Sequence, residues 1–146
     1  MIRFRGIYSG TLDQKGRLNL PSKFRRLFTP EDNDTVILLK GSAKSILIYP
    51  LKVWEQVEDE LLLRRKESPN YSKVIRQLNA MLDEQHLDKQ GRITIPQRLK
   101  DKAAINKDVV IVGNLTHMEI WDAQEFDKQT SDAPDVLSIL EEELGI

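Results

Sequence analysis

The pattern of apolar and polar positions predicts two similar sets of short strands and helices along the chain. Residues 18–20 and 93–95 each place one polar residue between two apolar ones, which puts the apolar side chains on one face of a strand. The runs 36–39 and 109–112 are uninterruptedly apolar and rich in β-branched residues, as is typical of strands buried on both faces. Apolar residues also recur at helical spacing over 53–61 and 71–82, so we predict two helices there.

The similarity extends to the residues themselves, because segment 13–25 recurs 75 positions later as segment 88–100. Both copies contain Asp-x-x-Gly-Arg, then alternating apolar residues and a proline. Gly16 and Gly91 can adopt the positive φ of a tight turn, and Pro21 and Pro96 suit the entry to a helix. The similarity continues after the prolines at an offset of 72 residues. Each half is therefore predicted to run strand, tight turn, strand, short helix, strand, turn, strand, helix.

These elements predict a mainly β fold with appended helices, of the α+β class, built from two pseudo-symmetric internal repeats. Repeat one covers residues 4–56, a helical insert covers 51–82, and repeat two covers 83–128. We expect residues 1–130 to form a single domain. Residues 131–135 have the composition of a linker, and 131–146 as a whole are predicted to be an acidic C-terminal tail or helix.

The composition is that of an ordinary globular protein with few options for redox or metal chemistry. The 146 residues are 40% hydrophobic and 31% charged, which is sufficient for a buried core. There are no cysteines, which excludes disulfides, thiolate zinc sites and cysteine nucleophiles. The apolar runs are far shorter than the roughly 18 residues of a membrane span, and no signal peptide is recognisable. We therefore expect a cytoplasmic location.

Charge is distributed unevenly along the chain. The net charge of −1 argues against nucleic-acid binding over the whole surface. However, segment 1–26 has seven basic residues and one acidic residue, and segment 88–102 has five basic and two acidic. From residue 122 onward there are eight acidic residues and one lysine. Both copies of the repeat are therefore basic, whereas the tail is acidic.

No catalytic or metal-binding constellation is recognisable in the sequence. The two histidines, His86 and His117, lie in unrelated local contexts, and solvent exposure explains them better than acid–base chemistry. Asp13 and Asp88 could act as paired carboxylates only if the fold brought them together, and each already has an arginine four residues further on. We therefore expect no enzyme activity, no metal, no cofactor and no small-molecule ligand.

The arginines of the Asp-x-x-Gly-Arg units allow two interpretations. Asp13 and Asp88 could form ion pairs with Arg17 and Arg92 that fix each turn, although exposed pairs of this kind contribute little to stability. The same geometry would orient a guanidinium group, whose planar fork matches phosphate oxygens or the O6/N7 edge of guanine. We assign the aspartates, like the two glycines, to the structure of the turns. For Arg17 and Arg92 we favour DNA contact, most strongly for Arg17 because its half of the chain is more basic.

Further basic residues surround these units. Lys15 and Lys89 lie beside the arginines and enlarge the basic patch at each turn. Arg3 and Arg5 alternate with apolar residues on one face of an edge strand or N-terminal arm, and both DNA contact and a solvated role are open for them. The basic residues of the short helices are predicted to be solvated: Lys23, Arg25, Arg26, Arg98, Lys100 and Lys102.

Together these motifs resemble the MraZ family of bacterial transcriptional regulators, in the superfamily that includes AbrB-type regulators. The resemblance spans residues 4 to about 126 and rests on the two Asp-x-x-Gly-Arg-[Leu/Ile]-x-[Leu/Ile]-Pro units, on Ile-Tyr-Pro-Leu-x-x-Trp-Glu at 48–55 and on Val-Gly-x5-Glu-Ile-Trp-Asp at 112–122. Two features depart from the family pattern: Leu82, where a small residue is usual, and the acidic tail after Ser131.

The resemblance implies a swapped-hairpin or double-psi β-barrel core and a ring-shaped homo-oligomer. It implies DNA binding through the arginines of the motifs, here Arg17 and Arg92. It also implies control of the operon for cell division and cell-wall synthesis, including the protein's own promoter, through short G-rich direct repeats. A nucleoid-associated location follows from that role.

Two functions of different classes are consistent with the sequence. The first is a sequence-specific DNA-binding transcriptional regulator that acts as an oligomer. The second is a protein-interaction module, in which the barrel and the insert 51–82 dock a partner while the basic turns are only structural. The insert could equally form the interface between subunits.

Overall fold

The order of elements repeats along the chain in the computed structural model, which describes residues 2–131 and 135–146. The first half contains β1 (Ile7–Thr11), β2 (Arg17–Asn19), α1 (Ser22–Arg25), a 3₁₀ turn (Pro30–Asp32), β3 (Thr35–Lys40), β4 (Ser45–Pro50) and α2 (Leu51–Glu67). After α3 (Tyr71–Met81), the second half contains β5 (Asp83–His86), β6 (Arg92–Thr94), α4 (Gln97–Lys102), β7 (Asp108–Asn114), β8 (His117–Asp122) and α5 (Ala123–Ser131), and α6 (Val136–Leu144) follows. The predicted order of strands, turns and helices is confirmed in both halves.

Six strands form one antiparallel sheet in the order β1-β7-β8-β4-β3-β5. Strands β4 and β8 join the two halves at its centre, where Ile46 lies opposite Ile120. The α+β class expected from the sequence is confirmed. The closed swapped-hairpin or double-psi barrel is not, because β1 and β5 are the two edges of the sheet and do not pair with each other within the described ranges.

Strands β2 and β6 form a separate two-stranded antiparallel ribbon. Leu18 lies opposite Ile93, and the ladder is extended by hydrogen bonds from Leu20 N to Gly91 O (3.1 Å) and from Ile95 N to Gly16 O (2.9 Å). Each strand therefore pairs with its counterpart in the other half and not with the strand that precedes it. The two halves meet in this ribbon about a pseudo-twofold axis that passes through the central Leu–Ile pair.

The main hydrophobic core is formed by the sheet, the inner face of the ribbon, α1 and α4. Strand β3 is buried on both faces, as predicted for 36–39, because Ile37 and Leu39 pack with Trp54 of α2 on the side away from the main core. The same prediction is wrong for 109–112: in β7, Val109 and Ile111 are buried, whereas the residues that alternate with them are partly exposed. The long helix α2 covers the outer face of β3, but the shorter α5 covers the outer face of β7 only in part.

The two predicted helices of the insert are present as α2 and α3, which lie side by side. Within these two fully described helices, Trp54 is the only buried residue. The apolar residues between them line a groove that Glu55, Glu58 and Asp59 border. Leu62, which lines this groove, is exposed. The same two helices present further large apolar side chains to solvent: Leu63, Val74 and Met81.

The C-terminal segment 136–144 is helical, which is one of the two forms predicted for the tail. Asp135 caps α6, because its carboxylate accepts hydrogen bonds from Ser138 Oγ (2.8 Å) and Ser138 N (3.4 Å). Most of α6 is exposed, including the apolar Leu137 and Leu144. Residues 132–134 of the predicted linker lie outside the described residues, and Ser131 belongs to α5.

Candidate nucleic-acid interface

The first glycine turn is held by the carboxylate of Asp13. Its Oδ1 accepts hydrogen bonds from the backbone N of Lys15 (2.9 Å) and of Arg17 (2.8 Å), and its Oδ2 accepts one from Arg17 Nε (2.6 Å). Gly16 has a φ of +77°, a conformation that other residues adopt only with strain. One carboxylate thus fixes both the backbone of the turn and the direction of the arginine side chain.

The second glycine turn repeats this geometry almost atom for atom. Asp88 Oδ1 accepts from the backbone N of Gln90 and of Arg92, each at 2.9 Å, and Asp88 Oδ2 accepts from Arg92 Nε at 2.7 Å. Gly91 has a φ of +76°. The ion pairs that the sequence suggested at both turns are therefore present.

These hydrogen bonds keep both aspartates ionised. The pKa of Asp13 is lowered from its ordinary value, most strongly by the backbone N–H of Arg17 and further by the Arg17 side chain and the backbone N–H of Lys15. Desolvation opposes this shift and is the second-largest influence on the pKa. The pKa of Asp88 is lowered in the same way by Arg92 and Gln90. Each guanidinium is consequently held by an anchor that stays charged at neutral pH.

The outer face of the ribbon presents both arginines together. Leu18 and Ile93, at the centre of the strands, point into the main core and are each 1% exposed. The outer face is formed by the residues that alternate with them: Arg17 opposite Thr94, and Asn19 opposite Arg92. Within the described part of the chain, the terminal Nη atoms of both arginines make no hydrogen bond, so their donor pairs remain available for a ligand.

Two basic residues that sequence reasoning assigned to solvated helix faces belong to this surface. Arg25 of α1 lies against the Gly91 turn, because a Cβ atom built on Gly91 would be only 2.6 Å from Arg25 Cδ. Its Nε donates to the backbone O of Leu20 at 3.1 Å. Lys100 of α4 lies against the Gly16 turn, where a built Cβ would be 3.3 Å from Lys100 Nζ. The two residues are 75 positions apart, which is also the offset between the motifs. This shared offset was the signal in the sequence that identifies them as equivalent residues of the two repeats.

The other predicted site residues divide into two groups. Lys15 and Lys89 are exposed at the turns, and neither forms an ion pair with a described residue. Arg3 and Arg5 flank Phe4, which bridges to Leu115 beyond the Ile7 end of β1. The Gly16 turn follows the opposite end of β1, so the structure does not bring Arg3 and Arg5 together with the ribbon arginines.

The histidines are placed apart from this surface. His86 Nδ1 lies 2.9 Å from Thr35 Oγ1 at the edge strand β5. The expected solvent exposure is confirmed for His86 and only in part for His117, whose ring stacks on Tyr49 with a centroid distance of 4.4 Å. Burial lowers the pKa of His117 in spite of the nearby Glu119, so the imidazole is neutral at neutral pH.

Neither a metal-binding cluster nor a membrane-spanning helix is found in the described ranges. Among these residues, no three or more His, Cys, Asp or Glu side chains are grouped so that they could hold a metal ion. None of the helices in the described ranges combines the length and the apolar character that crossing a bilayer requires.

Comparison with known proteins gives consistent matches over nearly the whole chain. The family model described as "MraZ protein, putative antitoxin-like" matches residues 3–73 and 80–142. The chain is 36% identical over 145 residues to a "Transcriptional regulator MraZ" of Clostridium acetobutylicum, covering 98% of this chain and 99% of that protein. It is 38% identical over 121 residues to the protein of the same name from Mycobacterium avium, covering 83% and 82% of the two chains. A third, from Corynebacterium urealyticum, is 36% identical over 135 residues and covers 88% and 87%.

Proposed function

Since the chain belongs to the MraZ family, we propose that it is a DNA-binding regulator of transcription that contacts DNA through the outer face of the β2–β6 ribbon. The observation that carries this proposal is the presence of two anchored arginines, Arg17 and Arg92, on one short exposed face with their Nη donors available. The relatives are named as transcriptional regulators, and the family is not one of enzymes. That agrees with the expectation of no enzyme activity.

The dimensions of the ribbon suit the major groove of DNA. Gly16 lies opposite Ile95 and Gly91 opposite Leu20, so four residues, or about 13 Å, separate the two turns along the ribbon. The major groove is about 12 Å wide and admits a two-stranded β-ribbon. With the ribbon in the groove, the arginines lie between the two turns and face base edges, and each turn lies close to one of the two phosphate backbones.

The cations at the turns then meet phosphates. Lys15 and Lys100 lie at the Gly16 turn, and Lys89 and Arg25 lie at the Gly91 turn. Each phosphate that they neutralise releases counterions and adds about 0.9 to the salt slope of the binding constant. We assign affinity mainly to these four residues and sequence selectivity to the face of the ribbon.

Binding measurements on a duplex carrying the promoter repeats test this proposal. Arg17→Ala and Arg92→Ala are each expected to lower the affinity by about 5- to 100-fold, the usual effect of losing a guanidinium that contacts guanine. Arg64→Ala is the matched control, because Arg64 forms an i,i+4 ion pair with Glu60 on α2, away from the ribbon. If Arg17→Ala and Arg92→Ala changed neither the affinity nor its salt dependence, the ribbon would not be the DNA-binding surface.

We further propose, from the family resemblance, that the DNA sites are short G-rich direct repeats at the protein's own promoter. That promoter heads the operon for cell division and cell-wall synthesis, and the protein is then associated with the nucleoid. The guanine preference of arginine in the major groove supports a G-rich site. A reporter fused to the promoter should respond to the protein, and deletion of the repeats or the double change Arg17→Ala/Arg92→Ala should abolish the response.

Assembly into a ring-shaped homo-oligomer belongs to the same proposal. The apolar groove between α2 and α3, which the exposed Leu62 lines, supports burial against a second copy, as do the exposed Leu63 and Val74 on the same helices. The same groove favours the alternative function, a protein-interaction module. Affinity capture from nuclease-treated extract separates the two: a retained protein partner, together with no measurable DNA binding, would favour the interaction module.

A further inference from the structure

The two halves of the ribbon face are alike in their arginines and different in the residues beside them. Across the ladder, Arg17 lies opposite Thr94, and Arg92 lies opposite Asn19. The pseudo-twofold axis interchanges these two rows, so Asn19 in one row takes the place of Thr94 in the other. The surface that faces a ligand is therefore symmetric in charge and asymmetric in its neutral polar groups.

Neither neutral residue is explained by the stability of the fold. Asn19 and Thr94 are exposed, and within the described ranges neither side chain makes a hydrogen bond. Asparagine is depleted in strands, whereas threonine is favoured there, so Asn19 occupies a position that strand propensity alone would not select. Its side chain nevertheless lies on the outer face, opposite Arg92.

The chemistry of the two rows points to different bases. An arginine forms two hydrogen bonds with guanine O6 and N7, and an asparagine forms two with adenine N6 and N7. Threonine offers a methyl group that packs on the C5-methyl of thymine and a hydroxyl without a fixed base preference. Directly opposite residues of an antiparallel pair have Cβ atoms about 5 Å apart, so the two side chains of one row reach neighbouring base pairs.

We propose that Asn19 and Thr94 are specificity-determining residues that give the two rows different base preferences. The row of Arg92 and Asn19 recognises a guanine with a neighbouring adenine, and the row of Arg17 and Thr94 recognises a guanine without requiring an adenine. The proposal rests on the DNA-binding function proposed above and goes beyond it. Each ribbon then binds a non-palindromic site in one orientation, although its charged groups are symmetric.

Variants that make the two rows identical test this inference. Sites are selected from a random duplex library, and individual duplexes are then compared by competition. Asn19→Thr should remove the preference for adenine, about 5- to 100-fold in relative affinity. Thr94→Asn should create a second adenine preference at the symmetry-related position, so that the selected site becomes palindromic. Asn114→Thr is the matched control, because it makes the same change at an exposed strand position outside the ribbon.

The outcomes separate this inference from the proposed function. If the unaltered protein bound DNA with a steep salt dependence that required Arg17, but Asn19→Thr and Thr94→Asn selected the same site as the unaltered protein, this inference alone would be overturned. If the protein bound no DNA, or bound it independently of Arg17 and Arg92, the proposed function would fail first. Thermal unfolding of both variants checks that the fold is intact, as expected for exposed positions.

Discussion

At the residue scale, one carboxylate at each turn combines a structural and an electrostatic task. Asp13 and Asp88 use one oxygen for two backbone N–H groups and the other for an arginine Nε. The arginine side chain is thereby oriented before any ligand arrives, which reduces the entropy that binding would otherwise cost. The structural and the functional interpretations of the Asp–Arg pairs are therefore compatible.

The ionisation of Asp13 should make stability depend on pH in a defined window. The folded pKa lies below the ordinary value of 3.8, so the stabilisation is fully present above that value and is lost as the pH falls through the lower folded pKa. Asp13→Asn should be less stable than the unaltered protein at neutral pH, and the difference should vanish as the pH falls well below about 4. Denaturant titrations followed by the fluorescence of the buried Trp54 and Trp121 provide the measurement.

Arg17→Met is the informative companion to this experiment. The largest cause of the lowered pKa is the backbone N–H of Arg17, which this substitution retains, and the side chain contributes less. Arg17→Met should therefore keep part of the pH dependence that Asp13→Asn removes. If both variants lost this pH dependence completely, the guanidinium, and not the turn backbone, would determine the ionisation of Asp13.

The glycine turns should respond differently to the same substitution. Gly16→Ala and Gly91→Ala both place a side chain at positive φ, which costs about 1–2 kcal/mol. At Gly91 the new Cβ also collides with Arg25, whose side chain must move, whereas at Gly16 it meets the backbone O of Ile95 at 3.1 Å. Gly91→Ala should therefore also weaken DNA binding, by the same factor as Arg25→Ala, and the double variant should be no weaker than either single variant. If the two substitutions lowered the DNA affinity independently, so that their effects added in the double variant, a role for Arg25 at this turn would be contradicted.

At the element scale, the ribbon depends on its inner face. Leu18 and Ile93 are each 1% exposed and lie opposite each other at the centre of the ladder. Leu18→Ala should lower the free energy of unfolding by about 2–5 kcal/mol, because it removes buried methyl groups and leaves a cavity. Asn19→Ala, one residue further on and exposed, should change it by less than about 0.5 kcal/mol. Equal losses in the free energy of unfolding, measured by urea titration, would contradict the burial of Leu18 and the exposure of Asn19.

Most elements could be predicted from the sequence because they depend on local signals. Alternation, a glycine and a proline specify strand, turn and helix entry within segments 13–25 and 88–100, and both copies fold as expected. The pairing of β2 with β6 could not be predicted in this way. Alternation indicates which face of a strand is buried, but not which other strand it pairs with.

Only the part of the candidate site that depends on local signals could be predicted. The arginines were identified because their motif is local, but Arg25 and Lys100 were assigned to solvent. Their positions depend on α1 and α4 packing against the turn of the opposite half, which is a contact across 66 residues for Arg25 and Gly91. From the sequence, Asn19 and Thr94 are recognisable only as the polar members of two alternating stretches. Their positions opposite the arginines depend on the register of β2 and β6.

At the scale of the whole molecule, the ribbon and the groove between α2 and α3 carry opposite charges. The basic turns lie on the ribbon, whereas α2 borders its apolar groove with Glu55, Glu58 and Asp59. Burial raises the pKa of Glu58, and the nearby carboxylates of Glu55 and Asp59 raise it further. A surface of this kind repels DNA, so oligomerisation through the groove would leave the ribbons accessible.

Leu62→Asp tests whether this groove joins the copies of the proposed oligomer. Leu62 is 43% exposed, so its replacement should leave the fold of one chain intact, but a further carboxylate beside Glu58 and Asp59 should prevent another copy from packing there. Sedimentation should show a shift from an oligomer to the 16.9 kDa chain. Because linked sites gain about 10²–10⁴ in avidity, affinity for a duplex with several repeats should fall by that factor, while affinity for a single repeat should not change.

Leu144→Asp on α6 makes the same change at an exposed position and should leave the oligomer unaltered. An oligomer that survived Leu62→Asp would place the subunit interface elsewhere, and an unaltered protein that sedimented as a single chain would contradict the proposed assembly itself.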